Sequence, residues 1–355
     1  MNLRYHGLDY TRSVLMIIGI FFHASLIYKY QPDWRIFNDS GNILFNYFTD
    51  FIKSFRMEAF YIICGFFYVL VFDRGISKNI LRDRLSRVMI PLIFTGGIIN
   101  SVMNYYSFNE HYSGVYNYIL KGEWMGHLWF IGNLAIYYLS FYFLLTLCCK
   151  SNNAINNKSK IYLFSFLIAP LSSIFLSGLV WIIKPENFLF ISTRALFDYA
   201  PYFILGMYLY KERDAFFELM NINLIMVKII FAGALFYSLS LLLSSTNYFL
   251  TKVFFTFSGA FFGIASISLL SYIGRNPSEK IKRFSDASYT IYLLHQPVIV
   301  IFYSLIMFKY NLPILIEFLI ICIFTLLSTF YFHHLIVKKS NILSFLFSGK
   351  LKNRK

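Results

Sequence analysis

Long apolar runs separated by short polar segments dominate the chain. A helix needs about 20 mostly apolar residues to cross a bilayer, and ten runs approach or exceed that length: 10–28, 52–72, 88–106, 127–149, 161–183, 194–210, 222–243, 252–273, 287–308 and 312–336. In lipid, only helices and closed barrels satisfy every backbone group, and these runs are too long and continuous for barrel strands. The pattern predicts an all-α, polytopic integral membrane protein with about ten transmembrane helices.

Composition and charge support this class and suggest an orientation. The chain is 58% hydrophobic and 14% charged, which excludes disordered, coiled-coil and ordinary soluble proteins. Most of its 32 Lys and Arg residues fall in alternate inter-helix segments and at the two ends. The positive-inside rule then predicts that both termini are cytoplasmic. We expect a single transmembrane domain over 1–340 and a short basic cytoplasmic tail over 341–355. The positive-inside pattern accounts for the excess of basic over acidic residues, so no nucleic-acid partner is expected.

The predicted outer loops are aromatic. Tyr30, Trp34 and Phe37 lie in the first, and a run of Tyr, Phe and Trp from Tyr105 to Trp124 lies in the second. Two interpretations are open: an interfacial aromatic belt, or rings that stack on the apolar faces of sugars.

Ionisable residues inside apolar runs are costly and mark candidate functional sites. Arg12 and His23 are eleven residues apart, about 16 Å and three turns along a helix, so they share one face. Asp9, one turn before Arg12, can hold its guanidinium. His23 is either a packing histidine or a general base suited to neutral pH.

Two further groups of charges, and one histidine, are candidates. Arg82, Arg84 and Arg87 precede the third run and provide either topogenic charge or a phosphate clamp. Arg56 and Glu58 lie in the second run on different helix faces. They form either structural ion bridges to other helices or part of a binding site. His295 comes just before Pro297, which should kink its helix and expose polar groups.

No nucleotide-binding loop, dinucleotide fingerprint, zinc motif or serine elbow is present in the sequence. No metal is therefore expected. No internal repeat is visible either, which weakens the case for a transporter built from inverted repeats.

Several segments of the chain resemble those of a known family. The opening YHGLDYTRSVLMIIGIFFHASLIY resembles the first helix of the acyltransferase 3 family of bacterial membrane acyltransferases, with its Arg and His matched by Arg12 and His23. RDRLSRVMIP is similar to the family's R-x-x-R motif at Arg84 and Arg87. SFRMEAFYIICGFF, GHLWFI and SDASYTIYLLHQP follow in the family's order. The opening, the SFRM run and the GHLWF segment look most like the glucan succinyltransferase branch. At position 64 this chain has Cys before Gly, where the family usually has Ser.

The resemblance implies acyl transfer, succinyl or acetyl, from cytosolic acyl-CoA to a hydroxyl of a periplasmic glucan or surface polysaccharide. His23, Arg12 and Asp9 would be catalytic, and Arg82, Arg84 and Arg87 would bind the donor. The acceptor candidates are Arg56, Glu58, His127, Trp129 and His295. His23 would act as a base or as a transient acyl carrier.

Acyl-CoA is expected as a donor substrate, with no permanently bound cofactor. The expected location is the bacterial inner membrane, where the partners would be lipid, the glycan acceptor and glycan-synthesis machinery. Two alternatives stay open: a transporter of a glycan or lipid-linked sugar, and an accessory scaffold of a glycan-synthesis complex.

Overall fold

The computed structural model describes residues 5–32, 34–75, 79–107, 119, 122–149, 158–184, 191–310 and 312–350. Over these residues the chain is helical and forms no β-strand beyond an isolated bridge between Lys29 and Asn42. The predicted all-α class is confirmed. The aromatic residues between 108 and 118 lie outside the described residues.

Fifteen α-helices follow one another in the described part of the chain. They are α1 His6–Ser25, α2 Ile43–Asp73, α3 Ile80–Phe94, α4 Asn100–Ser107, α5 Trp129–Ser140, α6 Tyr142–Cys149, α7 Lys158–Leu163, α8 Ala169–Ile183, α9 Thr193–Lys211, α10 Arg213–Leu219, α11 Leu224–Leu243, α12 Tyr248–Ile273, α13 Glu279–Leu305, α14 Ile314–Phe332 and α15 Asn341–Ser348. One π-helical turn joins α3 to α4, one joins α7 to α8, and a third extends α14.

Eight of the ten predicted spans form helices long and apolar enough to cross a bilayer within the described residues. They are His6–Tyr28, Ile43–Asp73, Ile80–Ser107, Lys158–Ile183, Leu224–Leu243, Tyr248–Ile273, Glu279–Lys309 and Ile314–Val337. The run 127–149 is divided at Phe141 into α5 and α6. The run 194–210 forms α9, which is less apolar because it carries Arg194 and Asp198. These two spans stay predictions, as does the orientation.

Contacts between distant segments define two ends of the helical bundle. At one end Tyr5 stacks on Phe217, and the Tyr210 hydroxyl donates to Asp73 at the end of α2. At the other end the Tyr303 hydroxyl donates to the Phe37 carbonyl. The first end gathers the segments predicted to be cytoplasmic, and the second gathers predicted outer loops. The orientation of these two ends in a membrane stays a prediction.

The long helix α2 is the centre of the bundle, and glycines allow its neighbours to approach it. A Cβ at Gly65 would lie 2.0 Å from the Phe203 carbonyl oxygen, and one at Gly206 would lie 2.0 Å from that of Ile62. Small residues at helix crossings are typical of membrane proteins, where close packing replaces the hydrophobic driving force. This packing fixes the depth and rotation of α2, which carries Arg56 on one face and Glu58 on another.

The segment after the last span folds back onto the bundle. Phe347 of α15 contacts Phe94 and Phe332, and Gly349 ends the helix with a φ of +63°. A Cβ at Gly349 would lie 2.2 Å from the Ser86 carbonyl oxygen. The described part of the predicted tail is therefore a docked helix that ends beside α3.

Candidate functional site

Three histidines from separate parts of the chain meet inside the bundle. His23 is near the end of α1, His127 lies in a 3-10 turn before α5, and His295 is in the middle of α13. The His295 ring centroid lies 5.0 Å from that of His23 and 4.9 Å from that of His127, and the His23–His127 distance is 6.2 Å. His127 and His295 are buried. We call these three rings the histidine centre.

Backbone carbonyls near a proline in α13 accept hydrogen bonds from two of the rings. Pro297 lies inside α13 and has no N–H, so the Leu293 carbonyl loses its intrahelical donor. His127 Nε2 is 3.1 Å from the Tyr292 carbonyl oxygen and 3.2 Å from that of Leu293. His295 Nδ1 is 2.6 Å from the Tyr292 carbonyl oxygen. Only an N–H can bond a carbonyl, so these contacts fix both tautomers. The polar groups predicted next to Pro297 are therefore present and occupied by imidazole donors.

The second ring nitrogens of His127 and His295 are left as acceptors. Nδ1 of His127 and Nε2 of His295 are buried and have no hydrogen-bond partner, and the same is true of Nδ1 of His23. A buried, unpartnered polar atom costs free energy. Such atoms at one point in a membrane protein indicate a place where a ligand hydroxyl or proton is received.

Arg56 brings a positive charge to the centre through a gap in α1. Its guanidinium lies over the Phe22 ring at 4.6 Å. Gly19, seven residues after Arg12 and four before His23, provides the gap: a Cβ there would lie 2.9 Å from Arg56 Nη1 and 3.4 Å from His295 Nε2. The predicted Arg12–His23 face of α1 is thus interrupted by a glycine where Arg56 and His295 approach. The sequence analysis did not identify Gly19.

Residues of the first predicted outer loop cover the centre. The Trp34 ring centroid is 6.0 Å from that of His23. Arg35 donates a hydrogen bond to Asn104 of α4, and its charge acts on both His23 and His127. In the sequence Trp34 was recognisable only as one of several loop aromatics, and nothing in the pattern marked Arg35.

A second group of charges lies towards the end of the bundle that carries the basic segments. Arg12 is 3.7 Å from Asp9 and lies over the Phe67 ring at 5.6 Å. Arg84 donates to the Phe67 carbonyl at 3.0 Å. The Nε atoms of Arg12, Arg84 and Arg87 are buried without a partner. These three residues form the arginine cluster.

The docked C-terminal segment reaches this cluster. Burial, followed by the nearby charges of Arg87 and Arg84, lowers the pKa of Lys350 from its ordinary value. Arg82, by contrast, is exposed on α3. The structure therefore brings together Arg12, Asp9, Arg84 and Arg87 of the predicted residues, and leaves Arg82 at the surface.

Two predicted acceptor residues are not in contact with the histidines. Trp129 stacks on Tyr199, with centroids 5.8 Å apart. Glu58 is buried against α12 and lines a different cavity, beside Asp198 and Lys252. Their role in binding stays a prediction. Among the described residues, no group of three or more His, Cys, Asp or Glu side chains is placed to hold a metal ion.

These features define the class. The chain is a helical membrane protein that encloses a centre of three imidazoles and one guanidinium, with free arginine donors towards one end. It belongs to the acyltransferase 3 family, because the family model, described as an acyltransferase domain, matches residues 5–334. The resemblance expected from the sequence is confirmed.

Curated relatives give the same assignment. "Glucans biosynthesis protein C" of Escherichia coli strain K12 is 31% identical over 230 residues, 57% of this chain and 57% of that protein. The protein of the same name from Escherichia coli O1:K1 / APEC is 28% identical over 342 residues, 84% of this chain and 83% of that protein. In the first comparison the chain thus spans little more than half of its relative. No solved structure matches the chain.

Proposed function

We propose that the protein is a membrane O-acyltransferase that moves an acyl group from cytosolic acyl-CoA to a hydroxyl of a glucan or related polysaccharide outside. Membership of the acyltransferase 3 family supports the reaction class. The printed name of the relatives supports a glucan acceptor. The observation that carries the proposal is the histidine centre, where three unpartnered imidazole nitrogens lie beside Arg56.

The arginine cluster is suited to the donor. CoA carries phosphates, and guanidinium groups bind phosphate through charge-assisted, often bidentate hydrogen bonds. The buried Nε atoms of Arg12, Arg84 and Arg87 have no protein partner and can donate to such a ligand. From there the polar side chains Cys64 and Tyr138, which both interact electrostatically with Arg12 and Arg84, extend into the bundle. In this proposal they border the path of the thioester arm.

His23 is the proposed base. The tautomers of His127 and His295 are fixed by backbone carbonyls, whereas Nδ1 of His23 has no partner. His23 takes the proton of the acceptor hydroxyl as its oxygen attacks the thioester carbon. The C–O bond forms, the C–S bond breaks, and the proton passes from His23 to the departing CoA thiolate. Arg56 is placed to stabilise the negative charge that develops on the carbonyl oxygen.

A covalent variant of the step keeps the same residues. His23 would attack the thioester first, release CoA and carry the acyl group as an acyl-imidazole before the hydroxyl takes it. A rapid denaturing quench near neutral pH, where an acyl-imidazole survives longer than in acid, of the protein mixed with radiolabelled acyl-CoA and no acceptor distinguishes the two. Label bound to wild-type protein and absent from His23→Ala indicates the covalent route, and unlabelled protein indicates direct transfer.

The proposal is tested with purified protein in nanodiscs. Acetyl-CoA and succinyl-CoA are supplied separately with a glucose oligosaccharide, and the free CoA thiol and the mass of the sugar are both measured. Transfer predicts thiol release together with a sugar heavier by one acyl group. A transporter would move sugar across a liposome membrane unchanged and release no thiol. Absence of both thiol release and ester would contradict the proposal.

The proposed location is a bacterial inner membrane, where cytosolic acyl-CoA is accessible from one face and periplasmic glycan from the other. Fractionation of the native membranes, followed by detection of the protein, tests it. Recovery with outer-membrane markers would contradict it.

A further inference from the structure

A polar cavity lies apart from the histidine centre, on another face of α2. It has a volume of about 520 Å³ and is bordered by α2, α8, α9, α11 and α12. This size falls within the range of about 300–1,000 Å³ typical of small-molecule sites. None of the three histidines, and none of the arginine cluster, lines it. The proposed chemistry therefore leaves this cavity without a role.

A buried carboxylate points to a ligand in the cavity. Glu58 lines it, is only 6% exposed, and has one carboxylate oxygen without a hydrogen-bond partner. Gly259 explains how this is sterically possible, because a Cβ there would lie 3.1 Å from the Glu58 carboxylate and 2.4 Å from the Ser54 carbonyl oxygen. Helix α12 passes close to Glu58 without supplying a polar partner for that oxygen.

A second carboxylate oxygen in the same cavity is also unpartnered. Asp198 uses Oδ2 to bind Lys252 at 2.9 Å, while its Oδ1 is buried with no partner. No protein donor reaches these two carboxylate oxygens, so both can accept hydrogen bonds from a ligand. An occupant with several N–H or O–H groups would satisfy them.

The remaining lining excludes a strongly charged ligand. Three acidic and three basic side chains face the cavity, so their formal charges cancel: Asp50, Glu58, Asp198, Lys53, Arg194 and Lys252. Ser and Thr hydroxyls from α8, α11 and α12 add groups that both donate and accept. Aromatic rings, among them Tyr199 and Tyr248, supply flat apolar faces. A neutral, polyhydroxylated ring compound matches this lining.

One side chain connects the cavity with the histidine centre. Tyr199 lines the cavity and stacks on Trp129, which is two residues after His127. Its other stacking partner is Tyr61 of α2, at 5.1 Å. The cavity is thus separated from the loop that carries His127 by a single layer of stacked rings.

We infer that this cavity is a second binding site, which holds a neutral sugar unit of the acceptor glycan through Glu58 and Asp198. The inference rests on the proposed function for the identity of the sugar, but the cavity's chemistry is independent of the acyl donor. A glycan bound here and at the centre would be held at two points, and oligosaccharides would bind more tightly than single sugars.

The experiment measures sugar binding without acyl-CoA. Full-length protein in nanodiscs is titrated with glucose and with glucose disaccharides, and binding is followed by saturation-transfer NMR. Glu58→Gln is expected to weaken binding on the order of tenfold, since the amide replaces one acceptor oxygen with an N–H donor and leaves the ligand's donor unpaired. Glu212→Gln is the matched control, because Glu212 is also 6% exposed with one unpartnered oxygen but caps the opposite end of α9.

A milder variant guards against misfolding. Tyr199→Phe removes only a hydroxyl and is expected to weaken binding a few-fold, with an unchanged gel-filtration profile and melting temperature. Because binding is measured without acyl-CoA, its result is scored independently of acyl transfer, which separates this inference from the proposed chemistry. If wild-type protein binds none of the sugars, or if Glu58→Gln and Tyr199→Phe both bind them normally, the cavity is not a sugar site. That result would stand even where acyl transfer is demonstrated.

Discussion

The histidine centre and the arginine cluster are built on opposite principles. In the centre, the backbone of α13 fixes the orientation of His127 and His295, and Trp34 covers His23. In the cluster, the arginines are partly exposed and several of their donors are left free. One region has rigid side chains with free acceptors, and the other has long side chains with free donors.

Under the proposed function, the difference corresponds to two tasks. Moving a proton and forming a bond require reacting groups held near 3 Å in one orientation. Holding a multiply charged phosphate requires several donors but tolerates side-chain adjustment, because the attraction falls slowly with distance. The comparison therefore predicts that small changes at the centre affect turnover, while changes in the cluster affect donor affinity.

The largest effect is expected from His23→Ala. Loss of a general base typically reduces the rate by ~10²–10⁴, and His23→Gln should be nearly as inactive because an amide does not take up a proton at neutral pH. Thiol release from acyl-CoA in the presence of acceptor measures the rate. His6→Ala, a histidine at the other end of α1, should remain active. A well-folded His23→Ala protein with near-normal turnover would show that His23 only packs.

A smaller but informative effect is expected from Gly19→Ala. The new Cβ would press on Arg56 Nη1 at 2.9 Å and on His295 Nε2 at 3.4 Å. Displacement of positioning groups by about 1 Å can cost on the order of 10²-fold. We expect kcat to fall by roughly tenfold to a hundredfold with little change in the KM for acyl-CoA. Gly178→Ala on α8, where a Cβ meets nothing within 4 Å, is the control. Equal activity of the two variants would contradict the geometry.

The double variant Arg84→Lys/Arg87→Lys tests the other region. It keeps the charge and removes the planar fork, so bidentate phosphate contacts are lost. We expect the KM for acyl-CoA to rise by about tenfold, with kcat at saturating donor nearly unchanged. Arg82→Lys, on the exposed face of the same helix, should leave both constants as they are. A fall in kcat with unchanged KM would reverse the assignment of tasks.

The smallest effect is expected from Lys158→Ala. Lys158 pairs with Glu218 at 2.6 Å, but the two side chains are 54% and 48% exposed. Exposed ion pairs contribute about 0–1 kcal/mol, so the melting temperature should change little and the KM for acyl-CoA should not change. A raised KM would mean that general positive charge, and not the arginine cluster, attracts the donor.

Some of the site was accessible from the sequence because its signals are local. The spacing of Arg12 and His23 alone predicts that they share a helix face. Pro297, two residues after His295, indicates a backbone carbonyl without its intrahelical donor. His127 came from the resemblance, since nothing in its spacing links it to residues near 295. Gly19 and Arg35 were missed because their roles depend on what lies opposite them: a missing side chain has meaning only beside Arg56.

The fold, like the site, could be predicted only in part from the sequence. Apolar length predicted ten spans, and eight of them form helices long and apolar enough to cross a bilayer within the described residues. The run 127–149 reads as one helix in the sequence, but the chain turns at Phe141. The spacing of Arg56 and Glu58 placed them on different faces of α2, and in the structure Arg56 lies beside Gly19 while Glu58 lines the polar cavity. Two residues apart on a helix point about 200° apart, so three-dimensional packing decides their partners.

The hydrogen bond from His127 to the carbonyls of Tyr292 and Leu293 also has a consequence for biogenesis. The ribosome completes residue 293 some 170 residues after His127, which at bacterial elongation rates takes roughly ten to thirty seconds. Throughout this interval the first helices are in the membrane, but the loop with His127 has no anchor on α13. The histidine centre is therefore assembled only after most of the chain has been synthesised, so under the proposed function a nascent chain lacks the complete site.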